Sequence, residues 1–344
     1  MNISYSFNDQ YSFVAGVSVI SLFESNQDLE QINVYILGSE ISELNKQRFY
    51  SIATKYGRTI KFLDVSKIDA YLDNCGIRLI PKYKPTYYRL FLDMALPDDV
   101  ESVLFLDSDT LIIGSLAELE NYDFAQDTAC AMVRIHVFKN YNKYIGVESD
   151  LYYNAGVLLI NMNYWKSQNI TNRIKEKINS GQTHFTALDQ DLLISSVSGH
   201  IQTLPAGYNM MSFYLDVSAE RYIKYKRIDE SVFYTSDELE NAIQNPIILH
   251  LMRGHLGQPW EQGNKHPYRN EWLECKRISP WSGVPQVKRK LNIRGLVYKT
   301  LFLLLPKALY YRATVAILKL AVWKNSRKNS TSGINTHSSK GEST

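Results

Sequence analysis

The chain opens on an alternation. Ile3, Tyr5 and Phe7 are apolar and the residues between them are polar, the period of two that predicts a strand. Residues 11–24 follow with a helical pattern. Ile32–Leu37 predicts a second strand closed by Gly38, Ser42–Tyr56 an amphipathic helix ended by Gly57, and Thr59–Val65 a third strand. Strands alternating with helices predict an open α/β sheet with parallel connections. Thr86–Leu96 predicts a helix stopped by Pro97, Glu101–Leu106 a short apolar strand, and Tyr152–Asn161 a buried strand that contains Gly156. Helical segments are expected near 163–179 and 187–197, and a last strand over Pro246–Leu249 delivers His250. No period of 20–50 residues repeats, so one α/β domain is expected over 1–285.

The pattern changes after that. Between Lys288 and Lys328 there are eleven basic residues and no acid, with Leu301–Leu305 and Ala313–Trp323 among them. The longest unbroken apolar stretch falls far below the ~20 residues of a membrane span, and Pro306 divides it. Arg312 and Lys319 are seven apart and share a helical face. Tyr310, Tyr311 and Trp323 suit a headgroup region. Residues 286–324 are therefore expected to lie as a basic amphipathic element on an anionic leaflet. The alternative is a C-terminal helix packed on the domain with a solvated basic face. Residues 325–344 are rich in Ser, Asn, Thr and Gly, and disorder is expected there.

Composition narrows the class. At 45% hydrophobic and 21% charged residues, the 344-residue chain has ample core, which excludes a disordered chain, a collagen-like repeat and a disulfide scaffold. Its three cysteines are far apart and suit a reducing compartment. The first residues carry no basic n-region or apolar h-region, so a cytoplasmic location is expected. The net charge of +3 conceals twelve Lys/Arg against one acid from Lys288 onward, and 26 basic against 34 acidic groups before it. An acidic body argues against nucleic-acid binding.

The strongest chemical signal is Asp107-Ser108-Asp109, directly after an apolar strand. Ligands of open α/β sheets bind at strand C-termini. Two close carboxylates repel unless a cation joins them, and a hard ion such as Mn²⁺ or Mg²⁺ can also take phosphate oxygens. The competing reading is an acidic turn. Phosphatases with an aspartyl nucleophile carry a similar pair, but they place Thr or Val where this chain has Leu111. His250, after another apolar strand, is a third candidate ligand or else a satisfied core histidine. The nearby Gly254 and Gly257 would let backbone N–H groups approach phosphate.

Together, Asp107-Ser108-Asp109, Asn154-Ala155-Gly156-Val157-Leu158-Leu159-Ile160-Asn161, Leu188-Asp189-Gln190-Asp191, and a late His followed by Pro259-Trp260 resemble family 8 glycosyltransferases over residues 1–282. The resemblance implies a GT-A fold and a retaining enzyme that uses a nucleotide sugar and Mn²⁺. It further implies that Asn8, Asp9, Gln10 and Tyr11 hold uracil and ribose, with Tyr11 stacked on the base and Gln10 replacing the usual Asn. Arg89 would contact the donor sugar and diphosphate, Asp107 and Asp109 the metal, Asp107 also the ribose, and Ser108 between them would help bind the donor. Asn154 and Ala155 would line the donor sugar. Asp189 would bind donor hydroxyls, and the amide oxygen of Gln190 would face the anomeric carbon. The late motif departs from the family's. Its His-to-Pro spacing is two residues longer, and Gln258 stands where a lysine neutralises diphosphate. Either His250 is the ligand and Arg253 takes over the charge, or His255 is the ligand in a rearranged loop. Position after the strand favours His250.

The implied activity is transfer of galactose or glucose from UDP-galactose or UDP-glucose to a lipid-linked oligosaccharide, as in lipopolysaccharide synthesis, by an enzyme peripheral on the inner leaflet of the cytoplasmic membrane. The alternatives are a Mg²⁺-dependent phosphatase and a nucleotide-sugar-binding protein without turnover.

Overall fold

A computed structural model describes residues 1–75, 81–180, 187–288 and 293–332. Among the described residues ten strands are formed: β1 (Asn2–Asn8), β2 (Asn33–Ser39), β3 (Thr59–Phe62), β4 (Ser102–Leu106), β5 (Thr110–Ile112), β6 (Cys130–Arg134), β7 (Tyr153–Asn161), β8 (Ile201–Thr203), β9 (Met210–Met211) and β10 (Ile248–His250). Seven make one sheet in the order β3-β2-β1-β4-β7-β6-β8. β3, β2, β1 and β4 are parallel, while β7 is antiparallel to both β4 and β6. The sheet is thus mixed, as the implied fold requires. A small sheet, β5-β10-β9, stands apart from it.

Both faces of the large sheet are covered. Along β4, Leu104 and Leu106 enter one apolar cluster and Val103 and Phe105 the other. This follows from side chains alternating across a strand. It also corrects the reading of β1 as polar on one side. Ser4 and Ser6 are buried too, and Ser6 Oγ donates to Pro85 O at 2.8 Å. The alternation there marks two kinds of buried neighbour.

The helices follow local chemistry. Ser42 caps the helix Glu43–Tyr56 by accepting from Asn45 N, and Gly57 closes it at φ 61°. The segment near 163–179 is two helices, Met162–Ser167 and Ile170–Asn179, divided at Asn169, whose φ is +54°. The α-helix expected over Thr86–Leu96 is a 3₁₀ run, Pro81–Met94, with Pro85 inside and a non-helical Phe91. Proline cannot donate to an i−4 carbonyl, which disfavours the α ladder there.

Two helices, Ile293–Leu304 and Lys307–Ser332, close the described chain. Among the described residues no helix is long and apolar enough to cross a membrane. The placement of Tyr310 and Tyr311 at lipid headgroups is corrected: each is only 4% exposed. Tyr311 stands edge-on to Tyr222 of the helix Ala219–Lys226, with ring centroids 5.9 Å apart. Tyr310 packs against Phe302 and bonds to His255, so both rings are buried in aromatic contacts. Nothing is described of the Trp323 side chain, and the helix continues past 325 to Ser332. Residues 333–344 lie outside the described residues.

This docking predicts that Tyr311→Ala destabilises the fold by about 3 kcal/mol, the scale for emptying a buried aromatic position. Denaturant unfolding monitored by circular dichroism checks it. A loss within about 0.5 kcal/mol, as for ordinary surface sites, would place the ring outside the core.

Candidate active site

The sheet edge gathers the site. Leu106 of β4 pairs with Val157 of β7, so Asn154–Gly156 lie beside the residues that follow β4. Asp107 N donates to Gly156 O at 2.8 Å. β10 runs antiparallel to β5 with His250 opposite Thr110, which sets the imidazole beside the Asp107–Asp109 turn. Leu251 N donates to Asp109 O at 2.8 Å and fixes that approach.

His250 Nε2 lies 3.3 Å from Asp109 Oδ1 and 3.6 Å from Asp107 Oδ2. One ligand atom from each of the three residues lies within 4.8 Å of the others. Burial alone would lower the His250 pKa, but Asp109 outweighs it and raises it. Burial would likewise raise the Asp109 pKa, and His250 outweighs that and lowers it. The pair thus calls for a positive charge between its members, which a divalent ion supplies as well as a proton.

The hydrogen-bond network sets the tautomer. Backbone N–H groups can only donate, so Gly156 N identifies the Asn154 oxygen at 3.0 Å, and Ala155 N identifies the Gln190 oxygen at 3.0 Å. Asn154 Nδ2 then donates to Gln190 Oε1, and Asn209 Nδ2 donates to Asn154 Oδ1 at 2.8 Å. The oxygen of Asn209 is left facing His250 Nδ1 at 3.0 Å, so Nδ1 carries the hydrogen. In the neutral ring Nε2 keeps its lone pair toward the carboxylates, as a metal ligand must. Gly156 makes the approach possible. A Cβ there would stand 2.1 Å from His250 Cε1.

Arg89 ties the other side. Its guanidinium donates to Asp107 Oδ1 at 2.7 Å and Ala155 O at 2.6 Å, lies 3.2 Å from Asp189 Oδ2, and covers the Phe105 ring. Burial pushes the Asp189 pKa up to about 6 although Arg89 opposes the shift. Gln190 Nε2 donates to Tyr152 OH at 2.8 Å, and Tyr152 in turn donates to Asp191.

These groups line a cleft of about 600 Å³ with Tyr11, Arg253 and Gln258. Arg89, Asp107, Asp109, Asn154, Ala155, Asp189, Gln190 and His250 are thus brought together as expected. Asn8, Asp9, Gln10, Ser108, Gly254 and Gly257 do not line the cleft. Asp9 Oδ1 instead accepts from Ser42 N, Ser42 Oγ and Asn45 Nδ2, and Asn8 Oδ1 accepts from Tyr11 N. They shape the loop that presents Tyr11. The late motif is resolved by packing. His255 stacks on Phe302 and bonds to Tyr310 OH at 2.7 Å, so His250 is the histidine beside the carboxylates. Gln258 Nε2 is held by Leu251 O, while the Arg253 guanidinium is 3.4 Å from Glu261. Sequence reasoning missed Asn209 and Tyr152. No motif marks Asn209, which meets its partners only through tertiary structure.

The model of glycosyl transferase family 8 matches residues 2–261. General stress protein A of Bacillus subtilis (strain 168) is 24% identical over 287 residues, 83% of this chain and 96% of its own. The lipopolysaccharide 1,3-galactosyltransferase of Salmonella typhimurium is 26% identical over 297 residues, 82% of this chain and 79% of its own. The solved galactosyltransferase LgtC, in complex with donor and acceptor sugar analogs, matches with a TM-score of 0.65 at 24% identity, over 81% of this chain and 96% of that one. That likeness identifies the fold as GT-A. The phosphatase and turnover-free readings find no support in these comparisons.

Asn209→Ala removes the hydrogen-bond acceptor behind His250. It is expected to weaken Mn²⁺ binding by ~10–100-fold, the range for partners that orient a ligand. Calorimetric titration of Mn²⁺ measures this, and unchanged affinity would remove Asn209 from the site.

Proposed function

The chain belongs to glycosyl transferase family 8, and from that premise we propose that it moves galactose or glucose from a UDP-sugar to a glycan acceptor with retention at the anomeric carbon. The observation that carries this reading is the single cleft in which Asp107, Asp109 and His250 face Arg89, Asp189 and Gln190. Asp107, Asp109 and His250 would hold Mn²⁺ or Mg²⁺. A divalent ion bound there supplies Lewis-acid neutralisation of the departing diphosphate.

The chain's own residues do the rest. Tyr11, exposed at the rim, offers its face to the uracil base. Arg89 holds Asp107 and Asp189 in place while keeping its charge. Arg253 lines the cleft and supplies the cation that Gln258 lacks. Asp189 accepts hydrogen bonds from donor hydroxyls. Gln190 is an amide, a poor nucleophile where a retaining glycosidase uses a carboxylate. The acceptor hydroxyl therefore attacks from the leaving-group face. Its oxygen bonds to C1 as the C1–O bond to diphosphate breaks, and the departing phosphate oxygen takes its proton. The Gln190 amide oxygen, held by Ala155 N and Asn154, faces the developing positive charge.

A lipid-linked oligosaccharide of the lipopolysaccharide type is the acceptor class suggested by the named relatives. Peripheral attachment at the inner leaflet is supported by Leu303 and Leu304, 69% and 76% exposed, within a segment rich in cations.

Asp109→Asn is expected to cut metal-dependent transfer from UDP-galactose or UDP-glucose at least a hundredfold. Gln190→Ala is expected to slow transfer with UDP affinity unchanged. Near-normal turnover in Asp109→Asn would falsify the site assignment. Loss of UDP binding in Gln190→Ala would make that residue structural.

A further inference from the structure

A second concave site lies at the seam between the last helix and the body. It is a cleft of about 360 Å³. Apart from the phenol of Tyr225, its ionisable lining is basic: His136, Lys139, Lys226 and Arg227 from the body, Arg312 and Lys319 from the helix Lys307–Ser332. Among the described residues none of these lysines and arginines forms an ion pair. The half-buried Lys226 donates to Tyr222 OH at 2.8 Å and lies over the rings of Tyr222, Phe213 and Tyr311. Those contacts hold the ammonium in place without neutralising it. Burial pushes its pKa down to about 8. Burial, and after it Lys226 and Lys319, push His136 down to about 4.

Docking this helix therefore brings like charges together, which disfavours the docked state unless an anion joins them. Five cations exceed what a carboxylate would balance. Arginine forks and lysine ammonium groups together match a phosphate dianion.

The seam continues into a second cleft of about 350 Å³ that shares His136, Phe138, Lys139 and Arg227 and reaches Tyr141 and Asn142. Acid enters only here, at Asp150 and Asp229. Tyr141 donates to Asp191 at 2.9 Å, and Asp191 also accepts from Tyr152, the partner of Gln190. The wall of this cleft is thus joined, through buried hydrogen bonds, to the network that holds Gln190 in the proposed reaction centre.

We propose that the seam is a phosphate subsite for the acceptor: a phosphomonoester on the acceptor glycan sits among Lys139, Lys226, Arg227, Arg312 and Lys319, and the glycan follows the adjoining cleft toward Gln190. The proposal rests on Gln190 belonging to the reaction centre. A concave site that continues inward favours a discrete glycan phosphate over the flat array of a bilayer. It gives two of the tail's cations, Arg312 and Lys319, a specific partner.

The test uses the full chain with its donor cleft filled by saturating UDP, titrated with glucose 6-phosphate and, as the neutral control, glucose. Glucose 6-phosphate is expected to bind and glucose not. Inorganic phosphate is expected to compete, and rising salt to weaken the binding. Affinity is expected to fall at least tenfold in Arg312→Gln/Lys319→Gln. The same loss is expected in Lys139→Gln, on the body side, where the last helix is untouched. UDP affinity stays the same in all of them. Equal affinity for glucose 6-phosphate in the wild type and both variants overturns the proposal. So does a wild type that ignores glucose 6-phosphate but binds phosphatidylglycerol vesicles through these same residues, since the seam would then be a lipid site. Gln190→Ala should leave glucose 6-phosphate binding intact. If that variant also transferred sugar normally, the reading of Gln190 would fall while the subsite stood.

Discussion

Arg89 carries its charge at 4% exposure, a position where an unpaired guanidinium would be strongly destabilising. Each of its three guanidinium nitrogens therefore has a partner. It reaches the end of β4 through Asp107, the start of β7 through Ala155 O, the helix Leu188–Ser196 through Asp189, and its own 3₁₀ run through Thr86 O. Burial alone would lower its pKa, and the two carboxylates outweigh that and raise it. Four chain segments that supply the cleft meet on one cation. Removing it would leave Asp107 and Asp189 facing each other without a counter-charge, which is why their separate roles depend on it.

The opposite wall is built by a different constraint. His250 is delivered by a short strand of the small sheet, and nothing in that sheet orients its ring. Orientation comes from Asn209 and Asn154, whose amides are fixed in turn by two backbone N–H groups of β7. The same β7 backbone thus sets the imidazole tautomer and the Gln190 oxygen. Gly156 is the contact point, because any side chain there would displace the ring.

Much of this was legible in the sequence. The apolar runs before Asp107 and His250 marked strand ends, and a strand end in an open sheet is a ligand position. Capping by Ser42 and closure by Gly57 fixed a helix almost to the residue. The illegible parts share a cause: they are decided by distant partners. Ser4 and Ser6 look solvent-facing but lie beneath other elements. Asn209 meets His250 across 41 positions and carries no motif. β5, β6, β8 and β9 were not anticipated. Three of these are only two or three residues long, and they exist because neighbours present a paired edge. Tyr310 and Tyr311 suggested a membrane interface because sequence alone does not show Phe302 and Tyr222 waiting for them. Position after the strand already favoured His250, and Phe302 and Tyr310 occupying His255 decided between them.

The central claim is that Asp107, Asp109 and His250 form one cation site that completes a binding place for a nucleoside diphosphate. The most direct measurement is calorimetric titration of the full chain with UDP, in the presence and absence of Mn²⁺. The account predicts binding that depends on Mn²⁺ and weakens at least tenfold without it. UDP binding of equal strength in both conditions, or none in either, would contradict it.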